Sequence, residues 1–138
     1  MDKYDELQLK YNHLFAKEVR DENGKLIQYG FEEIELSYDG WYTIIKTLLW
    51  HIDYHIKNHP DIPPFKIEQI KSKTGHLCFY YSGGDEIISR MISLACDIAD
   101  NSCEFCGSSI DVSKKYNWIR TVCKKCDDSF ENKNVAVD

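Results

Sequence analysis

The chain has 138 residues, 43% of them hydrophobic, which predicts one globular domain, or one domain with a small appended unit. Its formal net charge of −6 disfavours nonspecific attraction to nucleic-acid phosphates. It has no apolar run long enough to span a bilayer, and its first residues lack the basic and apolar regions of a signal peptide. We therefore expect a cytoplasmic protein with no membrane partner.

The acidic charge is concentrated at the start of the chain. Residues 1–40 carry ten acidic and five basic side chains, whereas residues 101–138 carry six of each. A nucleic-acid adaptor normally concentrates positive charge on one surface. That class stays open as an alternative, but the charge distribution disfavours it.

The first forty residues predict a helix followed by extended structure. Apolar and aromatic side chains recur at steps of three and four residues from Tyr4 to Phe15, which predicts an amphipathic helix over residues 2–18. A polar segment ending at Gly24 interrupts this pattern. The β-type composition of residues 26–36 then predicts a strand or an irregular extended segment.

The middle of the chain predicts two helices on either side of a β-hairpin. An isoleucine- and leucine-rich stripe predicts a helix over residues 41–58, which Pro60 ends. Two β-type runs joined at Thr74 and Gly75 predict a hairpin over residues 65–81. Both faces of its second run are apolar or aromatic, so we expect both to be covered. A broad apolar face after the capping residue Asp85 predicts a helix over residues 86–100.

Two CxxC pairs carry the clearest chemical signal in the sequence. Cys103 and Cys106 form the first pair, and Cys123 and Cys126 form the second, with sixteen residues between the pairs. This spacing predicts a tetrahedral Zn²⁺ site. Four cysteine ligands leave no position for water or substrate, so we expect a structural ion. Two disulfides or two redox motifs are the alternatives, and a reducing cytosol and the paired arrangement disfavour them.

These elements predict an α+β fold, with a small antiparallel sheet (hairpin 65–81) packed by helices 41–58 and 86–100. A strand over residues 116–122 returns the chain to the second CxxC pair. We expect an α+β domain over residues 1–101, a zinc ribbon over residues 102–130 packed on it, and a flexible tail over residues 131–138. Cys78 and Cys96 are interpreted as buried small hydrophobic residues.

Smaller groups of residues offer weaker functional hypotheses. His51 and His55 share one helix face and suggest a metal pair, yet the sequence supplies no third ligand. Lys71, Lys73 and Gly75 at the hairpin turn suggest an anion site, although lysines at a turn are usually only solvated. Paired catalytic carboxylates and a Ser-His-Asp set are not apparent, so an enzyme is the less favoured class.

Several aromatic side chains lie beside turns or cations rather than within an apolar stripe. Trp41 follows Gly40, Tyr80 lies near the lysine turn, and Trp118 lies near Arg120. An exposed ring next to a cation can stack on a nucleotide base. Core packing is the more common role of such rings.

Four segments in this order resemble a family of small, largely uncharacterised bacteriophage and prophage zinc-ribbon proteins. The segments are Gly40-Trp41-Tyr42, residues 70–81 (IKSKTGHLCFYY), Met91-Ile92-Ser93 before the first CxxC, and Trp118-Ile119-Arg120-Thr121 before the second. The chain departs from the family pattern at three positions. Thr74 replaces an aromatic residue, Cys78 replaces an arginine, and Cys126 stands where many members use other ligands.

The resemblance implies a function as well as a set of residues. Matched to the family pattern, the candidate ligand-binding residues are Trp41, Lys71, Lys73, Gly75, Tyr80, Trp118 and Arg120. The implied protein is a non-catalytic phage accessory factor in the host cytosol that binds a host protein or a nucleotide-type anionic signal, in host takeover or counter-defence. A nucleic-acid-binding zinc-ribbon adaptor is the alternative, and a metal-dependent enzyme is the second alternative.

Overall fold

The computed structural model describes residues 2–17, 19–28, 34–115 and 120–129, and its elements alternate between helices and short strands. In chain order they are α1 (Lys3–Lys10), a 3-10 helix (Asn12–Leu14), β1 (Val19–Arg20), β2 (Leu26–Gln28), β3 (Ile34–Glu35), α2 (Tyr42–Asn58), β4 (Lys66–Lys73), β5 (His76–Ser82), α3 (Glu86–Asp100), β6 (Val112–Lys115) and β7 (Arg120–Cys123). Residues 124–129 are helical. The predicted α+β class is confirmed, whereas the predicted tail 131–138 lies outside the described residues.

The first helix is shorter than predicted, because the chain leaves it to reach the sheet. α1 ends at Lys10, and a 3-10 turn carries the chain to Phe15, which bridges Ile67 of β4. The backbone N–H of Ala16 donates to the carbonyl of Ile67 at 2.8 Å. The apolar periodicity that predicted helix 2–18 still marks buried residues, because a 3-10 turn continues nearly the same face.

The predicted hairpin forms from β4 and β5, which pair antiparallel with Lys73 opposite His76. The two residues between them have positive φ angles, 52° at Thr74 and 78° at Gly75, as a two-residue hairpin turn of this hand requires. Part of the predicted 26–36 strand, β3, adds to the other edge of β4 in parallel. Another part, β2, pairs instead with β1, and residues 29–33 lie outside the described residues.

The hydrophobic core lies between one face of this sheet and the two long helices. α2 contributes Ile45, Leu49 and Ile52, each with no exposed surface. α3 contributes Ile88 and Ala99, and it starts at the predicted cap, where the Asp85 side chain accepts from the Ile88 N–H at 2.9 Å. Among the described residues, every helix is too short or too polar to traverse a lipid bilayer.

The hairpin has one buried and one open face, because side chains alternate along each strand and paired residues share a face. The inner face carries Ile67, Ile70, Ser72, Leu77 and Phe79, and the outer face carries Gln69, Lys71, Lys73, His76, Cys78 and Tyr80. The apolar residues named on the inner face are buried, whereas those named on the outer face are half-buried or exposed. The expectation that both faces of β5 are covered is therefore wrong for Tyr80, which is 39% exposed.

Candidate metal centre and its docking site

Four cysteine sulfurs gather at the C-terminal end of the described chain. The Sγ atoms of Cys103, Cys106, Cys123 and Cys126 all lie within 4.8 Å of one another. All six cysteines belong to the described residues, and all six are free thiols. The two CxxC pairs therefore meet as one cluster that could hold a metal ion, rather than as two disulfides.

The cluster matches the size of a tetrahedral thiolate site. A Zn–S bond of about 2.3 Å implies an S···S edge of about 3.8 Å in a regular tetrahedron. The Cys106 and Cys123 sulfurs are 3.7 Å apart. The residues present thus fit a tetrahedral divalent ion of the zinc type, and the four thiolates would complete its coordination.

Local backbone geometry brings each CxxC pair into position. The first pair sits on a tight turn in which the Gly107 N–H donates to the Cys103 carbonyl at 2.9 Å. Gly107 takes a φ of 84°, which favours glycine. The second pair spans the end of β7 and the start of helix 124–129, so that the Cys126 N–H points at the Cys123 sulfur at 3.4 Å. The ladder between β6 and β7 joins the two halves.

The thiols influence one another electrostatically. Burial, followed by the neighbouring cysteine sulfurs, raises the pKa of Cys126 well above its ordinary value. Burial also acts to raise the pKa of Cys123, but hydrogen bonds from the Cys126 N–H and from the surrounding thiols outweigh it and lower that pKa. Closely packed thiols do not all ionise without a cation between them, so binding a divalent ion would release protons from the cluster.

The remaining two cysteines stay apart from the cluster. Cys78 and Cys96 are half-buried, on β5 and α3. Burial is the main reason that the pKa of Cys96 rises to about 11, with further increases from Asp100 and Cys78. Neither thiol belongs to a group of three or more potential ligands among the described residues, so neither extends the four-cysteine site.

The first CxxC turn docks on the start of α2. The Gly40 N–H donates to the Glu104 carbonyl at 2.8 Å, and the Trp41 Nε1–H donates to the Ser102 carbonyl at 3.0 Å. A Cβ built on Gly40 would lie 2.0 Å from the Cys103 carbonyl oxygen, so only glycine allows this approach. Trp41 is 1% exposed and is a structural part of this contact.

Glu104, inside the first CxxC pair, is a buried carboxylate that ties three segments together. Its Oε1 accepts from the Ser72 hydroxyl of β4 at 2.6 Å and from the Arg120 guanidinium at 3.3 Å. Its Oε2 accepts from the Thr121 N–H of β7 at 2.8 Å. Sequence reasoning missed this residue, because an acid between two cysteines gives no sign that its partners lie on distant strands.

The second docking contact is at the hairpin turn. The carbonyl of Gly75 accepts from the hydroxyl of Thr121, which is fully buried, and from the Lys114 ammonium at 3.0 Å. The same ammonium donates to the Thr121 hydroxyl at 2.7 Å. Gly75 thus presents its backbone carbonyl to Lys114 of β6 and to Thr121 of β7.

A cavity of about 90 Å³ lies where β3, β4 and the ribbon meet. Its lining includes Glu35, Tyr38, Trp41, Ser72, Glu104 and Arg120. The guanidinium there is already paired with the buried Glu104 carboxylate. The cavity therefore offers a neutralised polar wall rather than an exposed positive charge.

The structure separates the predicted ligand-binding residues into two groups. Lys71 and Tyr80 meet on the outer face of the hairpin, with the Lys71 ammonium 5.6 Å from the centroid of the Tyr80 ring, and Lys73 is exposed on the same face. Arg120 lies on the opposite side, because its partner Ser72 alternates with both lysines along β4. The ribbon therefore does not bring Arg120 towards the lysines, and Trp118 lies outside the described residues.

The two helix histidines have different surroundings. His55 is buried, and its Nε2 lies 2.8 Å from the Asp85 carboxylate at the start of α3. His51 is exposed, with its ring against the edge of Trp50. Within the described part of the chain, the four cysteines are the one group of three or more potential ligands close enough to share an ion.

Comparison with known proteins adds no relative: no protein-family model, curated protein or solved structure matches this chain significantly. The resemblance to phage zinc-ribbon proteins stays a prediction from the sequence motifs.

Proposed function

We propose that this chain is a non-catalytic binding protein in which a structural Zn²⁺ ion holds the ribbon (residues 102–130) against the α+β domain (residues 1–101). Four thiolates close the coordination sphere, which suits a structural ion rather than a catalytic one. The residues around the cluster, above all Glu104 and Thr121, make contacts with β4 and with the hairpin turn. In this proposal the metal maintains the shape of the molecule, and binding takes place elsewhere.

We propose the outer face of the hairpin as the binding surface. The observation that carries this proposal is the pairing of an exposed aromatic ring, Tyr80, with the Lys71 ammonium. A ring of this kind can stack on a base, while Lys71 and the exposed Lys73 can pair with phosphate oxygens. A nucleotide-type anionic ligand, free or presented by a host protein, suits both features.

The motif resemblance supports a more specific role as a phage accessory protein acting on a host protein or a host nucleotide signal. Such a protein acts by occupancy, because it only has to sequester or mask its target. This role needs no catalytic group. It also suits an acidic protein, whose net charge of −6 opposes indiscriminate binding to nucleic acid.

Thermal unfolding of the zinc-loaded protein with mononucleotides, cyclic dinucleotides and short DNA, at two salt concentrations, tests the proposal. A ligand at about 100 times its Kd adds about 2.7 kcal/mol, which raises Tm by roughly 10 °C for a chain of this size. We expect such a shift with at least one nucleotide. The double variant Lys71→Ala, Lys73→Ala should lose it.

The matched control is the double variant Lys124→Ala, Lys125→Ala, which removes the same charge from two exposed ribbon positions. It should keep the nucleotide shift. Equal binding by both double variants would contradict the hairpin site. A shift with any DNA that disappears at high salt, without a nucleotide shift, would favour the nucleic-acid adaptor instead.

A further inference from the structure

Helix α3 has a second apolar face beside the one that enters the core. Ile88, Ile92, Ala95 and Ala99 are buried against the sheet and α2. Beside them, Ile87, Leu94 and Ile98 are 54%, 61% and 46% exposed, and Met91 is half-buried between them. A contiguous exposed apolar stripe of this kind on a soluble domain marks an interaction surface.

The spacing of this stripe is that of a helix-pairing seam. Residues 87, 91, 94 and 98 are separated by intervals of four, three and four, the a/d pattern of a heptad. The intervals read the same in both directions. A second α3 placed antiparallel therefore sets Ile87 against Ile98 at both ends of the seam and Met91 against Leu94 on both sides of its centre.

Charges along the seam favour the same arrangement. Arg90 and Asp97 lie seven residues apart on one flank of the stripe, so they occupy equivalent heptad positions. In an antiparallel pair centred between Met91 and Leu94, Arg90 of each copy faces Asp97 of the other. In a parallel pair, residues of the same charge would lie at the same level.

We propose that two copies of this chain associate through an antiparallel pair of α3 helices, with a seam of Ile87, Met91, Leu94 and Ile98. The Arg90 and Asp97 pairs fix the register. This dimer satisfies the rule that a two-fold interface is complementary to itself, with residue i contacting j and j contacting i. It leaves the core face of α3, the metal cluster and the outer face of the hairpin unchanged.

The dimer is expected to be weak and reversible. The seam spans about 16 Å of helix, which places the contact at the low end of specific interface sizes. Each copy also carries a net charge of −6, so repulsion opposes association when salt is low. In moderate salt we expect monomer and dimer to exchange within the concentration range from about 1 µM to about 1 mM.

Sedimentation equilibrium of the zinc-loaded full chain over that range tests the proposal. Leu94→Glu should abolish the dimer, whereas Leu9→Glu, at an equally exposed position (61%) on α1, should leave it unchanged. Because both leucines are solvent-facing, both variants should keep the melting behaviour of the monomer. A chain that stays monomeric at the highest concentration would overturn the proposal.

Charge reversal tests the register and identifies the second copy as the occupant. Arg90→Asp and Asp97→Arg should each weaken self-association roughly tenfold, because each creates two like-charge contacts between the copies. Arg90→Asp also removes the ion pair with Glu86 inside each copy, but both of those side chains are 79% exposed and solvent screens that pair. An equimolar mixture of the two variants should recover a heterodimer of wild-type strength, since every facing pair is then of opposite charge. Failure of the mixture to recover would exclude the antiparallel pairing, and would point to another protein or another part of this chain on the stripe.

Discussion

At the scale of single residues, the Glu104 carboxylate accepts hydrogen bonds from Ser72 on β4 and from Arg120 and Thr121 on β7. Its side chain is almost wholly buried. A buried carboxylate is tolerated when its oxygens are satisfied by hydrogen bonds and a paired cation. The hydroxyl of Ser72, the guanidinium of Arg120 and the N–H of Thr121 supply both. Glu104 therefore connects the first CxxC turn to β4 and β7.

Replacing Glu104 with glutamine tests this role with almost no change of shape. The amide has a single oxygen, so it cannot accept from Ser72 and from the Thr121 N–H together, and Arg120 loses its counter-charge. We expect the free energy of unfolding to fall by about 2 kcal/mol, measured by urea unfolding of the zinc-loaded protein.

Glu86→Gln is the matched control, because Glu86 also pairs with an arginine, Arg90, at 3.1 Å. Both partners of that pair are 79% exposed, so solvent screens it and its loss should change stability little. If both substitutions lowered the free energy of unfolding by the same amount, the burial of Glu104 would not explain its contribution to stability.

The sequence alone predicted that the four cysteines would cluster, but not which residues surround them. Four cysteines at CxxC spacing specify their own chemistry, so a local pattern was enough. The role of Arg120 depends instead on which face of β4 meets the ribbon. Alternation puts Ser72 on that face and both hairpin lysines on the other, and the sequence contains no local signal for this pairing.

At the scale of elements, the helices, the strands and the ribbon are joined by close backbone contacts. The loop before α2 touches the first CxxC turn at Gly40, where the N–H of one segment meets the carbonyl of the other. The hairpin turn touches β7 at Gly75. Two glycines thus lie at close contacts between the ribbon and the α+β domain.

Gly40→Ala should disrupt the first of these contacts. The added methyl group would lie 2.0 Å from the Cys103 carbonyl oxygen and 2.5 Å from the Glu104 carbonyl carbon, so the CxxC turn has to move. We expect a loss of about 3 kcal/mol or more in thermal or urea unfolding, together with weaker zinc binding.

Gly24→Ala provides the comparison. A Cβ on Gly24 meets no atom within 4 Å, so its cost comes from its φ of 82° and should be about 1 kcal/mol. Zinc affinity should not change. If Gly40→Ala and Gly24→Ala had the same Tm, the ribbon would not need this close contact.

Local patterns predicted those elements that local physics determines. Helices α2 and α3 followed from apolar periodicity, and the hairpin followed from two β-type runs around a two-residue turn. The early end of α1 was not predictable, because its cause is the bridge between Phe15 and Ile67, residues far apart in sequence. The parallel pairing of β3 with β4 depends on similarly distant contacts.

At the scale of the whole molecule, the four-cysteine cluster and the start of α2 should respond together to binding or loss of a metal ion. The Trp41 indole donates to the Ser102 carbonyl, one residue before the first cysteine ligand, and is almost wholly buried. Movement of the ribbon would therefore expose this ring to water. The fluorescence of Trp41 should report whether the ribbon is docked.

Removal of the metal tests this coupling. We expect one zinc ion per chain, and a chelator should lower Tm and shift the tryptophan emission to longer wavelength. Acid should have the same effect, because zinc affinity falls as the thiolates are protonated. Trp41→Phe should lose most of the emission shift while keeping the drop in Tm. Unchanged melting and emission after complete zinc removal would mean that the ribbon docks without the ion.

The hairpin turn has a consequence for how the chain tolerates change in length. A two-residue turn at the surface is ordinarily a place where extra residues or a tag can be added at little cost. Here the carbonyl of Gly75 accepts from Thr121 and from Lys114, so its position relative to the ribbon is fixed. A single inserted residue would change the turn type and redirect that carbonyl. An insertion at the hairpin tip should therefore destabilise the contact with the ribbon, and any label or fusion should be placed elsewhere.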